Sequence, residues 1–136
     1  MKIDKPILEI KLINLTFNYK IIEKLVGNSK VISVVKGDGY GHGMIECSKT
    51  LIQSGCNHFY VANLDDAISM RNKFKRISIY VLSGPINSKE VKILNKYKLV
   101  PIINNFDQLE LINKNVTSKN QLKSVIQIDT GMNRMG

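Results

Sequence analysis

Tryptophan is missing from this chain of 136 residues, and cysteine, histidine and proline come close to it at two, two and three. Each scarcity closes off a class of protein. Cys47 and Cys56 form no CxxC pair and no histidine cluster adjoins them, which argues against a zinc site and a disulfide framework. Two buried free thiols in a reducing cytoplasm is the simpler reading. His42, inside "GHG", has no second histidine nearby, so a loop hydrogen bond suits it better than a metal. His58 opens an apolar run and reads as packed. No apolar run approaches the roughly eighteen residues that a membrane span needs. The opening "MKIDKPILEIKL" scatters charge through its length, unlike a secretory signal. Acidic residues are also short, eleven against twenty lysines and arginines, for a formal charge of +9. The lysines are dispersed along the chain and not gathered into a stripe, so a solvated basic surface is expected, without nucleic acid.

What is present is ordinary globular composition, 43% hydrophobic, with no proline- or glycine-rich linker to divide it. Short apolar runs at Val31–Val35, His58–Ala62, Ile77–Leu82, Leu99–Ile103 and Val125–Asp129 read as strands covered on both faces. Ile7–Leu12 alternates and reads as a half-exposed strand. Helical patterns fill the intervals. Asn14 is placed to cap a helix that carries Leu15, Ile21, Ile22 and Leu25 and stops at Gly27. A second helix runs from Met44 to Gly55. Asp65 and Asp66 suit a helix N-terminus, and "NSKE" (Asn87 to Glu90) and "NNFDQ" (through Asn105 and Gln108) resemble capping boxes.

Strand and helix therefore alternate, which means right-handed βαβ units and a parallel sheet. Doubly wound sheets and (β/α)8 barrels both begin in this way. The chain stops on an elaborate loop, "IDTGMNRMG", straight after a strand, so the expectation is about the first half of a (β/α)8 barrel, spanning residues 1–136 and truncated.

In parallel α/β folds, catalytic groups collect at the C-terminal ends of strands. Two such places are chemically dense. Lys36 directly follows Val31–Val35, and an amine held at the rim of an apolar strand can serve as a Schiff-base nucleophile. A solvent-facing stop signal is the alternative. Gly37, Gly39, Gly41 and Gly43 would let backbone approach a ligand, and Tyr40 offers a phenol among them. "GDGYGHG" has neither G-x-G-x-x-G spacing nor the Lys-Ser/Thr of a Walker loop. The second place is "DTGMNRMG", where Arg134 could bind an acidic oxygen or could pair with Asp129.

These residues carry a resemblance. "VVKGDGYGHG" is similar to the "VVKANAYGHG" of alanine racemases, and "IDTGMNRMG" to their "VDTGMxRxG". "FYVANLDDAISMR" and "LVPIINNFDQLELI" resemble the stretches between, in the same order, so the likeness covers essentially the whole chain. It implies a pyridoxal-phosphate enzyme, an isomerase, with its cofactor in a (β/α)8 barrel followed by a C-terminal β domain that this chain lacks. Lys36 then matches the lysine that holds the cofactor as an internal aldimine and acts as one of two bases. Tyr40 matches the tyrosine at the cofactor phosphate. Arg134, with Met132 beside it, matches the substrate-binding block, the arginine lying near the cofactor's phenolic oxygen and the substrate carboxylate. The second base is a tyrosine from the partner subunit of a homodimer and lies outside this chain.

The implied activity is interconversion of L- and D-alanine in the cytoplasm, for peptidoglycan, without metal or membrane. Another enzyme on the same barrel (a broad-specificity racemase or a decarboxylase), or a non-catalytic pyridoxal-phosphate-binding protein, is the alternative. Two positions depart from the family pattern. Asp38 stands where asparagine is usual and would bring negative charge near the arginine. Gln127 replaces a lysine that becomes carbamylated and orients that arginine, so the Gln127 amide, Asp38 or a bound anion is expected to substitute.

Overall fold

The computed structural model describes residues 6–117 and 121–136, so part of the charged opening segment lies outside it. Five short strands, β1 (Ser33–Val34), β2 (His58–Val61), β3 (Ser78–Val81), β4 (Val100–Ile103) and β5 (Val125–Ile126), form one sheet in the order β1-β2-β3-β4-β5. Every pair is parallel. Each strand falls inside the run that the sequence marks for it. Two ladders continue past their strands, with the Val35 N–H on the Tyr60 carbonyl and the Gln127 N–H on the Ile103 carbonyl, both at 2.9 Å. The helices are α1 (Leu12–Val26), α3 (Met44–Gln53), α4 (Leu64–Lys73), α5 (Ser88–Lys96) and α6 (Phe106–Asn115); α2 (Lys36–Tyr40) is a single turn of unusual hand.

The strand order decides between the two candidate architectures. A doubly wound sheet reverses its order at a switch point and carries helices on both faces. Here the order never reverses. Phe59, Val61, Ile79 and Val81 are buried in one cluster with Leu51, Ala67, Met70 and Leu94 from the helices. Their alternating neighbours, His58, Tyr60, Ser78 and Tyr80, remain half-exposed on the opposite face. Helices on one face of a sequentially ordered parallel sheet make a partial (β/α)8 barrel.

Asn87 and Asn105 cap their helices as expected, and Asn63 is a further cap, on α4. Asn63, Asn87 and Asn105 accept from the N–H groups of Asp66, Glu90 and Gln108 at 2.9, 3.0 and 2.9 Å. The return limb of both boxes reaches one residue further back than usual. Glu90 accepts from Ile86 N–H at 3.0 Å and Gln108 from Asn104 N–H at 2.8 Å. The caps thus fix the entering loop as well as the helix.

Two expectations near the N-terminus are corrected. Ile7–Leu12 is not a strand: residues 6–11 join no strand ladder among the described residues, and Ile7 is 92% exposed. Alternation can shape a face, but a strand exists only where its backbone groups find a ladder partner. Asn14 does not cap α1. The helix begins at Leu12, and the Asn14 N–H bonds to the Lys11 carbonyl at 3.0 Å, so Asn14 already lies inside the first turn. Gly27 ends the helix as expected, at φ 58°.

Candidate active site

Lys36 stands immediately beyond β1, half-buried, at the C-terminal edge of the sheet. Its amine makes no hydrogen bond or ion pair among the described residues. After it the backbone enters a left-handed turn: Gly37, Asp38, Gly39, Tyr40 and Gly41 have φ of 58°, 51°, 64°, 56° and 83°. Left-handed backbone costs about 1–2 kcal/mol for each ordinary L-residue. The glycines remove that penalty at three of the five positions, which is the physical reason for so pliable a composition behind the lysine. Bonds from Gly39 N–H to the Val35 carbonyl (2.9 Å) and from Gly41 N–H to the Gly37 carbonyl (3.0 Å) close the turn.

Tyr40 emerges from this turn largely exposed and lines a cavity of about 610 Å³, together with Val34, Val35, His42, Cys47 and the segment from Leu8 to Leu15. Lys36 does not line that cavity. His42 makes the expected loop bond, its Nδ1 lying 3.0 Å from the Gly39 carbonyl. Both cysteines are free and buried. Burial, with Glu46 and Asp38 adding to it, pushes the Cys47 thiol above its ordinary value. His58 is tied on the open sheet face, its Nδ1 lying 3.1 Å from the Tyr80 hydroxyl.

Arg134 lies at the far edge of the sheet, in the loop after β5. It lines a second, polar cavity of about 420 Å³ with Ser83, Asn104, Gln108, Asp129 and Asn133. It forms no ion pair with Asp129. That carboxylate instead accepts the N–H groups of Gly131 and Met132, both at 2.8 Å. The Gly131 bond, with further ones from Met132 to Arg134, holds its carboxyl below the usual range against the opposing pull of desolvation. Met132 itself is exposed.

Neither protein side chain expected to support Arg134 reaches its guanidinium among the described contacts. The Gln127 amide donates to the Met135 carbonyl at 3.0 Å, bracing the backbone beside the arginine. Asp38 is occupied elsewhere, accepting the Met44 N–H at 2.8 Å.

The sequence marks Gln108 only as a helix-start residue and gives Asn104 no role of its own. Asn104 Nδ2 donates to the Leu82 carbonyl and Gln108 Nε2 to the Ser83 carbonyl, each at 2.9 Å, which joins the loops after β3 and β4 beneath the polar cavity. The nearby glycine gives a partial signal: a Cβ on Gly84 would collide with Gln108.

Lys36 and Arg134 therefore line no common cavity, yet topology relates them. Four steps separate β1 from β5, about 19 Å across a flat sheet at roughly 4.8 Å per step. In a barrel of about eight strands the first and fifth face each other across the axis. Groups at their C-terminal ends then address one central space.

A family model described as alanine racemase, N-terminal domain, matches residues 10–136. The chain belongs to that family. Alanine racemase of Borreliella burgdorferi (strain ZS7) is 38% identical over 128 residues, 93% of this chain and 34% of the relative. The chain thus spans about a third of the length of the curated relatives it matches. Among solved structures, alanine racemase from E. faecalis superposes with a TM-score of 0.84 at 30% identity, over 93% of this chain and 35% of that one. Alanine racemase from Bartonella henselae, solved with covalently bound pyridoxal phosphate, gives 0.86 at 27% identity, over 93% and 37%. Within the alanine racemase N-terminal domain family the donors described here suit such a cofactor in kind: an unpartnered amine for an aldehyde, and a phenol and a guanidinium for anionic oxygens.

Proposed function

We propose that residues 1–136 form the N-terminal portion of the barrel of a pyridoxal-phosphate-dependent alanine racemase. The reading is supported above all by Lys36, half-buried and with no partner for its amine among the described residues, at the end of the first strand of a chain that belongs to this family. The chemistry supplied by bound pyridoxal phosphate is that of an electron sink at the substrate α-carbon, which makes its hydrogen acidic. Lys36 Nζ would hold the cofactor covalently, and when released take or return the α-proton on its own face of the substrate. The Tyr40 hydroxyl would donate to the cofactor phosphate. The Arg134 guanidinium would orient the substrate carboxylate bidentately, with Met132 flanking it.

Racemisation needs a second base on the opposite face, which we place in the remainder of the enzyme and in the partner subunit of a homodimer. The substrate is alanine, the setting the cytoplasm, and D-alanine for peptidoglycan the use.

The test uses the full-length enzyme. After incubation with pyridoxal phosphate and borohydride reduction, peptide mapping should find the cofactor on Lys36. Lys36→Ala should lose both that adduct and racemisation of L-alanine, while a panel of other L-amino acids reacts poorly. An adduct on a different lysine would overturn the assignment.

A further inference from the structure

We infer that Asp38 is a positioning residue for the Lys36 amine, acting through its grip on the start of α3; this rests on the role given to Lys36 above. The first amides of a helix need acceptors from outside the helix. The residue preceding α3 is Gly43, which has no side chain to offer. Asp38 fills the gap from upstream. Its carbonyl accepts the Gly43 N–H at 2.9 Å and its Oδ1 accepts the Met44 N–H at 2.8 Å.

Both of these bonds join one residue of the left-handed turn to a well-anchored element. Met44, Cys47, Ser48 and Leu51 of α3 are buried, and Ser54, just past its end, reaches the Thr16 hydroxyl of α1 at 3.2 Å. The other backbone bonds of Gly37 to His42 stay within the turn or reach back to Val35. Four of the seven residues Gly37 to Gly43 are glycine, the residue with most backbone freedom to lose. Besides Asp38, only the Cys47 thiol, 3.5 Å from the His42 carbonyl, adds a side-chain tie to α3 among the described residues. Asp38 suits the task twice over. Aspartate tolerates φ near 51° better than most side chains, and its carboxylate is a strong acceptor for a helix-start amide. The rigidity of α3 is thereby passed to the backbone that presents Lys36 on one side and Tyr40 on the other.

Two variants of the full-length enzyme separate grip from backbone conformation. Asp38→Gly keeps the left-handed turn accessible but removes the acceptor, whereas Asp38→Asn keeps both. The readouts are the dissociation constant for pyridoxal phosphate, the yield of borohydride-fixed adduct at Lys36, and amide exchange at Gly43 and Met44. Asp38→Gly should speed exchange at Met44, weaken cofactor binding about five-fold, as for the loss of one typical hydrogen bond, and lower the adduct yield. Asp38→Asn should stay within about two-fold of the parent, because its side-chain oxygen can make the same bond.

Faster exchange at Met44 with cofactor binding and adduct unchanged would reduce Asp38 to a cap and overturn the inference. Equal weakening by Asp38→Asn would overturn it as well, by implicating charge in place of grip. A parent enzyme that forms no adduct at Lys36 sinks the functional reading, and this inference with it, before any variant is compared.

Discussion

On the function proposed above, single residues at this site divide into those that would reach toward a ligand and those that hold the reachers. Arg134 is assigned to the first kind. It has no ion pair with Asp129, whose carboxylate is spent on the loop backbone. A guanidinium left free in a polar cavity can meet a carboxylate with two parallel bonds. Arg134→Ala in the full-length enzyme should raise KM for alanine by about 10- to 100-fold, since hydrogen bonds between charged groups contribute about 1.5–3 kcal/mol. Steady-state kinetics with Arg134→Lys alongside would check it, because lysine restores charge without the planar fork. A KM unchanged in both variants would remove Arg134 from substrate binding.

At the scale of elements, the helix ends carry much of the organisation. Arg71, near the end of α4, donates to the carbonyls of Phe74, Lys75, Tyr97 and Lys98 at 3.0–3.3 Å, clasping the segments that leave α4 and α5. Phe74 and Tyr97 are the cap residues, whose carbonyls a helix terminus leaves without partners, and Lys75 and Lys98 follow directly after them. Arg71→Ala should therefore destabilise the fold by about 2 kcal/mol or more, and Arg71→Lys by less, as read from denaturant midpoints.

Tyr19 of α1 offers a pH test. Burial, assisted by Cys56 and Glu23, pushes its phenol up to about 12. A raised pKa means the neutral form is favoured on folding, so this contribution is complete below the unfolded value of about 10 and declines as pH climbs through 12. Spectroscopic titration should show Tyr19 ionising late, along with Tyr60, whose phenol burial and Tyr80 also raise, with unfolding setting in over the window of Tyr19. A Tyr19 that ionises near 10 in the folded protein would contradict the packing of α1.

The molecule as a whole is polarised along the sheet axis. Asp65, Asp66, Glu90 and Asp107 occupy first turns of helices, while Arg71, Lys73, Lys96 and Lys114 occupy last turns. Four of the twenty lysines and arginines thus sit where helix carbonyls concentrate partial negative charge, matched by four acids at the opposite helix ends. The inner face of the sheet is another global feature, with Tyr60 and Tyr80 only half-covered and Val34 and Val125 exposed. Expressed alone, the 136 residues should self-associate through this uncovered apolar surface and show no racemase turnover. Light scattering and a D-alanine assay on the purified chain would check both. A monodisperse, active preparation would refute them.

Local chemistry explains how far the sequence could be read unaided. Strand positions, the asparagine caps and the stop at Gly27 follow from interactions between near neighbours, so composition and spacing revealed them. The lysine and its glycine turn were legible for the same reason: left-handed backbone demands glycine, and the demand is written locally. Long-range pairing was not legible. Ile7–Leu12 has a strand's alternation but no ladder, and nothing in its own residues tells whether a partner strand lies beside it. Likewise, only the folded sheet showed that its order never reverses, that Asp38 serves α3 and not Arg134, and that Asn104 and Gln108 join two loops. Those outcomes depend on which segments meet across dozens of residues, and that is decided by packing the whole core at once, beyond the reach of any local preference.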